Sequence, residues 1–389
     1  MKATHLPILK AVVLFTLFFA GCAPEQKHNQ DPFTWEQSNP QAEGFSQAIL
    51  DSIHNDIQQG RYGLMDHFLL IRNGKIVVDN HYDQDYKTIS KCYDTTRHLY
   101  NYDYPDWHPY YQYSDLHSLQ SVSKSVTSLL LGIATDEGLV IPLDSSVLPL
   151  FKDYDFDRND ERKKAITLRN LLTMQSGIDW DESSSYADDA SNNCSVMERT
   201  EDWIHYVLNR PMDTIPGTTW VYNSGVTMLL GKIVAMATGK QLDQYAEEKL
   251  FGPLGITDYY WKKTPKEEID AEGGLYLAPQ DLAKIGYMVL QKGRWRDKQI
   301  VSEDWLNQSV QPSVRLNNRM AYGFQWWKKV QDDQVFSYSM RGYGGQDVHV
   351  IPDYNIVMVT NAWNIHGDPE KLSEEMFFDR ILPTLKNKE

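Results

Sequence analysis

The sequence predicts an α+β domain: an antiparallel sheet built from both ends of the chain, flanked by helices, with a mostly helical insertion at about 125–300. Three observations predict it. Near the N-terminal end, Phe68-Leu-Leu-Ile71 and Ile76-Val-Val78 flank Asn73-Gly74, the pair that most readily takes positive φ at both centres of a hairpin turn. Near the C-terminal end, apolar runs recur at 335–340, 347–351 and 356–360, the last two joined by Pro352-Asp-Tyr-Asn355. Between the two groups, apolar residues recur at helical spacing rather than in alternation. Strands at both ends with helices between read as one sheet that closes on itself through the chain termini.

The elements follow in order. Lys2 and Lys10 precede and begin an apolar run, Ala11 to Ala20, too short to stay in a membrane as a spanning helix. It closes on Phe19-Ala20-Gly21-Cys22, which resembles the lipobox of bacterial lipoproteins. That resemblance implies a signal over 1–21, lipidation of Cys22 and a cell-envelope location, periplasmic or at the cell surface. An ordinary cleaved signal with an incidental cysteine is the alternative. Residues 22–42 are polar and read as a tether, with the folded domain over 43–389. A helix is expected over 46–59 from Ile49, Ile53 and Ile57, and then the hairpin. Tyrosines and tryptophans crowd 100–113, including Trp107, Tyr110 and Tyr111. Helices follow from Ser121 to Gly138, over 167–174, over 226–238 with Gly239 behind, and from Pro279 to Gly293. The three C-terminal strands and a last helix over 372–385 complete the chain. There is no internal repeat and no low-complexity tract.

The net charge of −15 becomes about −17 once Lys2 and Lys10 leave with the signal. With no basic cluster to offset it, that charge excludes nucleic acid as a partner. The three cysteines form no CxxC pair, there is no HExxH, and the histidines show no metal-ligand spacing. No metal or cofactor is implied. Cys92 and Cys194 are left open between a disulfide and two free thiols.

The chemistry starts at Ser121-Val-Ser-Lys124. Positions three apart share one helix face, so Lys124 lies under Ser121 and reaches its hydroxyl. A serine is a weak nucleophile until a base takes its proton. A lysine is that base only if burial or nearby positive charge lowers its pKa. The helix start also offers backbone N–H groups for an oxyanion. Ser-x-x-Lys alone is weak, with about one chance match in a chain this long. Two further segments strengthen it. Tyr222, between the Pro216-Gly217 turn and the helix near Val226, is placed to be a second proton-transfer group; filling space in the core is the other reading. The Arg341-Gly-Tyr-Gly-Gly345 stretch puts glycine beside a strand, where a close backbone approach would justify it; a plain turn is the alternative.

Together these segments resemble the serine β-lactamase and penicillin-binding-protein superfamily, in its class C β-lactamase-related branch of oligomer hydrolases and esterases. The carriers are Ser121-Val-Ser-Lys124, Leu171-Leu-Thr-Met-Gln-Ser-Gly177, Pro216-Gly-Thr-Thr-Trp-Val-Tyr222-Asn-Ser224, Gly274-Leu-Tyr-Leu-Ala-Pro-Gln-Asp281, Tyr322-Gly-Phe-Gln-Trp-Trp327 and Gly342-Tyr-Gly-Gly-Gln346. The resemblance implies a β-lactamase/transpeptidase-like fold and an acyl-enzyme on Ser121. It implies Lys124 and Tyr222 sharing the proton, and backbone N–H groups of Ser121 and Tyr343 holding the oxyanion.

Two departures bear on substrate. The tyrosine triplet ends in Ser224 rather than asparagine, and Met340 stands where β-lactamases carry a lysine. Arg341 is expected to point away, because side chains alternate along a strand. The resulting expectation is an ester or amide hydrolase acting on a small or oligomeric substrate, carbohydrate or aromatic in character. A β-lactamase or D,D-peptidase is the alternative within the fold, and a catalytically idle binding protein the alternative outside catalysis. Expected substrate contacts are Ser224, Gly342, the loop Asp179-Trp180-Asp181-Glu182, and the aromatic residues Trp107, Tyr110 and Tyr111.

Overall fold

Nine strands form the main sheet of the computed structural model, which describes residues 33–85, 89, 115–184, 191–311, 313–332, 334–364 and 372–386. The signal, Cys22, Cys92, Trp107, Tyr110 and Tyr111 lie outside the described residues. In chain order the first strands are β1 (Glu36–Gln37), β2 (Met65–Arg72) and β3 (Lys75–His81). A small second sheet holds β4 (His117–Ser118), β5 (Tyr260–Trp261) and β6 (Leu275–Leu277), and a two-stranded ribbon holds β7 (Arg294–Trp295) and β8 (Lys298–Gln299). The C-terminal strands are β9 (Val314–Arg315), β10 (Met320–Tyr322), β11 (Trp327–Gln331), β12 (Gln334–Gly342), β13 (Gln346–Ile351) and β14 (Ile356–Ala362). The main sheet runs β1-β3-β2-β14-β13-β12-β11-β10-β9, so β2 and β14 join the two ends of the chain at its centre. Every pairing is antiparallel except β1 with β3.

The hairpin forms because Asn73 and Gly74 take φ of 55° and 75°, the twist a two-residue turn needs. Five helices position the site: α1 (Gln47–Gln58), α2 (Val122–Asp136), α3 (Leu168–Leu172), α4 (Ser224–Thr238) and α5 (Pro279–Leu290). On one face of the sheet α1 buries Leu50, Ile53 and Ile57 against Phe68, Leu70, Ile356 and Met358. Met376, Phe377 and Ile381 from the helical stretch 372–384 join that core. On the other face α5 comes so close that a β-carbon on Gly286 would meet Val348 and Val357 within 3 Å. The middle helix α2 is buried from Val122 to Ala134, on every side, as a helix enclosed by protein must be.

One boundary differs from the sequence reading. The polar tether was expected to reach residue 42, yet the compact unit starts at Trp35. Trp35 packs edge-on against Tyr287 and Trp295, and Glu36 and Gln37 pair with Lys75 and Ile76. A single tryptophan and a two-residue strand carry too little periodicity to stand out in a polar stretch.

Candidate active site

Ser121 sits at the N-cap of α2, half-buried, directly after Gln120, whose φ of 50° marks a tight turn. Lys124, one helical turn on, donates from Nζ to Ser121 Oγ at 2.8 Å. The same ammonium donates to the carbonyl of Glu272 at 2.9 Å and to its Oε2 at 2.7 Å. Glu272 arrives through the small sheet. β4 leads into Ser121 and pairs with β6, which follows Glu272, while Thr127 and Ser123 of α2 bond Ala271 and Leu275.

Tyr222 is held from both sides. Met174, at φ 58°, accepts from Val221 N through its carbonyl at 2.9 Å and from Asn223 N through its sulfur at 3.0 Å. Asn223 caps α4 by accepting from Val226 N. The Tyr222 side chain lies next to the Ser121 hydroxyl, and its ring is 5.4 Å from the Lys124 ammonium. Trp327 stacks on Tyr222 at 5.7 Å, and Trp220 and Tyr322 complete an aromatic wall around it.

Beneath the site Gln325, buried and at φ 63°, ties three elements together. Its carbonyl accepts from Ser125 of α2, its Oε1 from Thr227 of α4, and its Nε2 donates to Leu171 and Leu172 of α3. Opposite Ser121, β12 ends at Gly342. A β-carbon there would meet the Leu119 carbonyl at 2.2 Å, so the strand presses on the Ser121 turn with no room for a side chain. Tyr343 follows at once, bringing the expected oxyanion N–H to this junction.

The electrostatics depart from what a lysine base needs. Burial alone would lower the Lys124 pKa, but Glu272 first, then Tyr222 and Glu182, outweigh it and hold the ammonium well above its ordinary value. Burial raises Tyr222, although Lys124 and the Ser121 hydrogen bond work against that. Burial would raise Glu272 too, and Lys124 beside it keeps it below the usual carboxylate range.

In the loop after α3 the side chains expected to contact substrate have partners within the protein. Asp179 is paired with Arg210 at 2.5 Å, and Asp181 accepts from Ser183 in a local turn. Trp180 is buried against Gly225 and Tyr206 and donates its indole N–H to Glu182 at 2.5 Å. Ser224 is buried, and both its N–H and hydroxyl donate to Glu182, at 2.7 and 2.6 Å. Ser224 and Trp180 are thus holders of Glu182, whose carboxylate their three hydrogen bonds need.

Met340 is buried on the α5 side of β12, beside Val348, while Arg341 turns to the other side and bonds Asp347 and Glu374. Cys194 is a buried free thiol, with Sγ 3.4 Å from Glu272 Oε1. Its sulfur and carboxylate oxygens of Glu198 and Glu272 lie within 4.8 Å of one another. Lys124 matches the Glu272 charge, and burial holds the Glu198 carboxyl well above the usual carboxylate range. Sequence reasoning missed Glu272 and Gln325. Both lie far along the chain from Ser121, and no local pattern marks them.

The beta-lactamase family model matches residues 54–374. Monacolin J acid methylbutanoyltransferase of Aspergillus terreus is 31% identical over 156 residues, 37% of this chain and 37% of that protein. The 6-aminohexanoate-dimer hydrolase of Paenarthrobacter ureafaciens is 25% identical over 283 residues, 64% of this chain and 67% of that one. The matched stretches span less than half the length of the first curated relatives. A solved structure from Bacillus anthracis, provisionally described as a 6-aminohexanoate-dimer hydrolase, superposes with a TM-score of 0.68 over 90% of this chain and 87% of that one. At 18% identity it shows a shared fold.

Proposed function

The chain belongs to the beta-lactamase family, and from that premise we propose that it is an exported serine hydrolase cleaving an ester or an unstrained amide through an acyl-enzyme on Ser121. One observation carries the reading: the Lys124 ammonium donates to the Ser121 hydroxyl at 2.8 Å and lies 5.4 Å from the Tyr222 ring, so the three groups meet at one point. The ammonium donates to Oγ, which leaves the serine's own proton directed at Tyr222. In its phenolate form Tyr222 takes that proton as Oγ bonds the acyl carbon, and returns it to the departing alkoxide or amine. Water then repeats the exchange to release the acid. Backbone N–H groups of Ser121 and Tyr343 hold the oxyanion, and no cofactor enters the scheme.

Substrate follows from what surrounds Tyr222. Met340 offers no cation for a substrate carboxylate, which weighs against β-lactams and peptides ending in D-alanine. The aromatic wall of Trp220, Tyr222 and Trp327 suits a flat or apolar acyl or leaving group, and the aromatic stretch 100–113 suits a carbohydrate or an aromatic ester. The lipobox-like ending of segment 1–22 supports export to a bacterial cell envelope and anchoring through lipid on Cys22.

The test is a panel of acetyl esters, short amides and a chromogenic cephalosporin, with Ser121→Ala as control and mass spectrometry for an acyl adduct on Ser121. Ester turnover that Ser121→Ala abolishes is expected, with kcat/KM rising as pH climbs from 7 because the phenolate is the active form of Tyr222. Unchanged turnover in Ser121→Ala overturns the mechanism. Rapid cephalosporin turnover with none of the esters overturns the substrate class.

A further inference from the structure

Ser121, Lys124 and Tyr222 leave a buried layer of charge behind them unused. Lys124, Glu272, Glu198, Cys194, Lys262 and Asp270 are all nearly without solvent contact, and Glu182 stands at the edge of the group. Taking charge out of water is costly unless each ion finds a partner, so the pairing inside this layer is informative. Lys262 and Asp270 pair at 2.9 Å. Glu182 is taken by Ser224 and Trp180. Glu198 lies beside Glu272, with a carboxylate oxygen of each within 4.8 Å, and burial, only partly offset by Lys262, holds it well above the usual carboxylate range. Cys194 donates to Glu272 as a thiol. Glu272 is the carboxylate that touches Lys124, at 2.7 Å.

We propose that Glu272 is a positioning residue, whose carboxylate and carbonyl together grip Lys124 and keep it a permanent cation under Ser121. The inference rests on the serine-hydrolase reading for its consequence but not for its geometry. Two acceptors from a single residue fix where the ammonium sits, and the third proton of Nζ is then directed at Ser121 Oγ. The groups facing Lys124 are Glu272, Tyr222, Glu182 and Cys194; those facing Glu272 are Lys124, Lys262, Glu198, Asp270 and Cys194. Of the carboxyls, Glu272 is the one in contact with the ammonium. Lys124 keeps all three protons through the cycle, and the proton of Ser121 travels by Tyr222 alone.

The experiment compares the full chain with Glu272→Gln and Glu272→Asp. One readout is the 13Cε resonance of Lys124, identified as the lysine signal that Ser121→Ala displaces. The other is the pH profile of kcat/KM on an activated ester. In the parent, Lys124 is expected to remain charged at about pH 10.5, the ordinary lysine midpoint. Glu272→Gln should bring its titration down by about one pH unit or more and add a falling alkaline limb. It should also lower kcat/KM at pH 8 by about tenfold or more, whereas Glu272→Asp should restore both. A merely structural role would lower activity evenly across pH and add no falling limb, which would overturn the proposal. A neutral Lys124 in the parent near pH 8 would also overturn it, and needs no variant at position 272. If no ester is cleaved, the hydrolase reading fails, and the lysine titration still decides whether Glu272 holds Lys124.

Discussion

Lys124 and Lys328 are both buried, at 1% and 0% exposure, and their electrostatics run in opposite directions. Lys124 lies on α2 with a carboxylate at 2.7 Å, and that partner more than cancels the cost of burial. Lys328 lies on β11 and donates to the Gln311 backbone carbonyl; burial pushes it down to about 7. A carbonyl dipole satisfies a donor without compensating a charge. The difference teaches that depth alone does not set a lysine's state. A partner that carries charge keeps the cation, and one that does not leaves the protein paying to hold it.

The largest break in the comparison is Lys124→Met. It strands the Glu272 carboxylate, so unfolding in urea should show a loss of about 3–5 kcal/mol, and ester hydrolysis should vanish. A stable, active variant would refute the pairing. Next, Tyr222→Phe leaves Lys124 and Glu272 in place and removes the proton carrier. We expect kcat to fall by about 10²–10⁴ with stability nearly unchanged, separating chemistry from charge.

The third change works on the other lysine. Lys328→Met should stabilise the protein by about 1–4 kcal/mol at pH 7, read from the denaturation midpoint. The sign follows from linkage. The folded pKa, about 7, lies below the unfolded value of 10.5, so between the two the unfolded chain binds more protons and stability rises with pH. The melting temperature of the parent should therefore gain more between pH 7 and 9 than that of Lys328→Met, and equal gains would dismiss the account.

The smallest effect is expected at Trp327, which adjoins Lys328 in sequence yet stacks on Tyr222. Trp327→Ala should raise KM for an aromatic ester by about 2–10-fold, and an unchanged KM would remove the ring from the substrate's path.

What was readable in the sequence was local. Asn73-Gly74 announced the hairpin through its φ preference, Thr167 with Asn170 forms the capping box that starts α3, and the three-residue step from Ser121 to Lys124 put them on one helix face. The β-lactamase-like fold expected from the motifs is the fold found, with α2 and α4 close to their expected limits. Contacts made by tertiary structure were not readable. Glu272 lies 148 residues from Lys124, and nothing beside it signals a charge partner. Lys328 sits in Trp327-Lys-Lys329, where a sequence reader places both lysines in water; strand alternation sends one inward and the other to Glu374. Ser224 and Trp180 read as cleft residues because they flank Tyr222 and the α3 motif, and only packing reveals that both face Glu182.

The contact at Gly342 has a consequence for how such a site can be altered. The gap between the β12 terminus and the Ser121 turn is a spacing between two main chains, with a carbonyl where a methyl would have to go. No side chain can tune that gauge, since even alanine would force the strand and the Ser121 turn apart. The width at the reacting carbon is therefore closed to gradual adjustment. Changes in what the enzyme accepts must enter from the rim, through rings such as Trp220 and Trp327, while the gauge stays put.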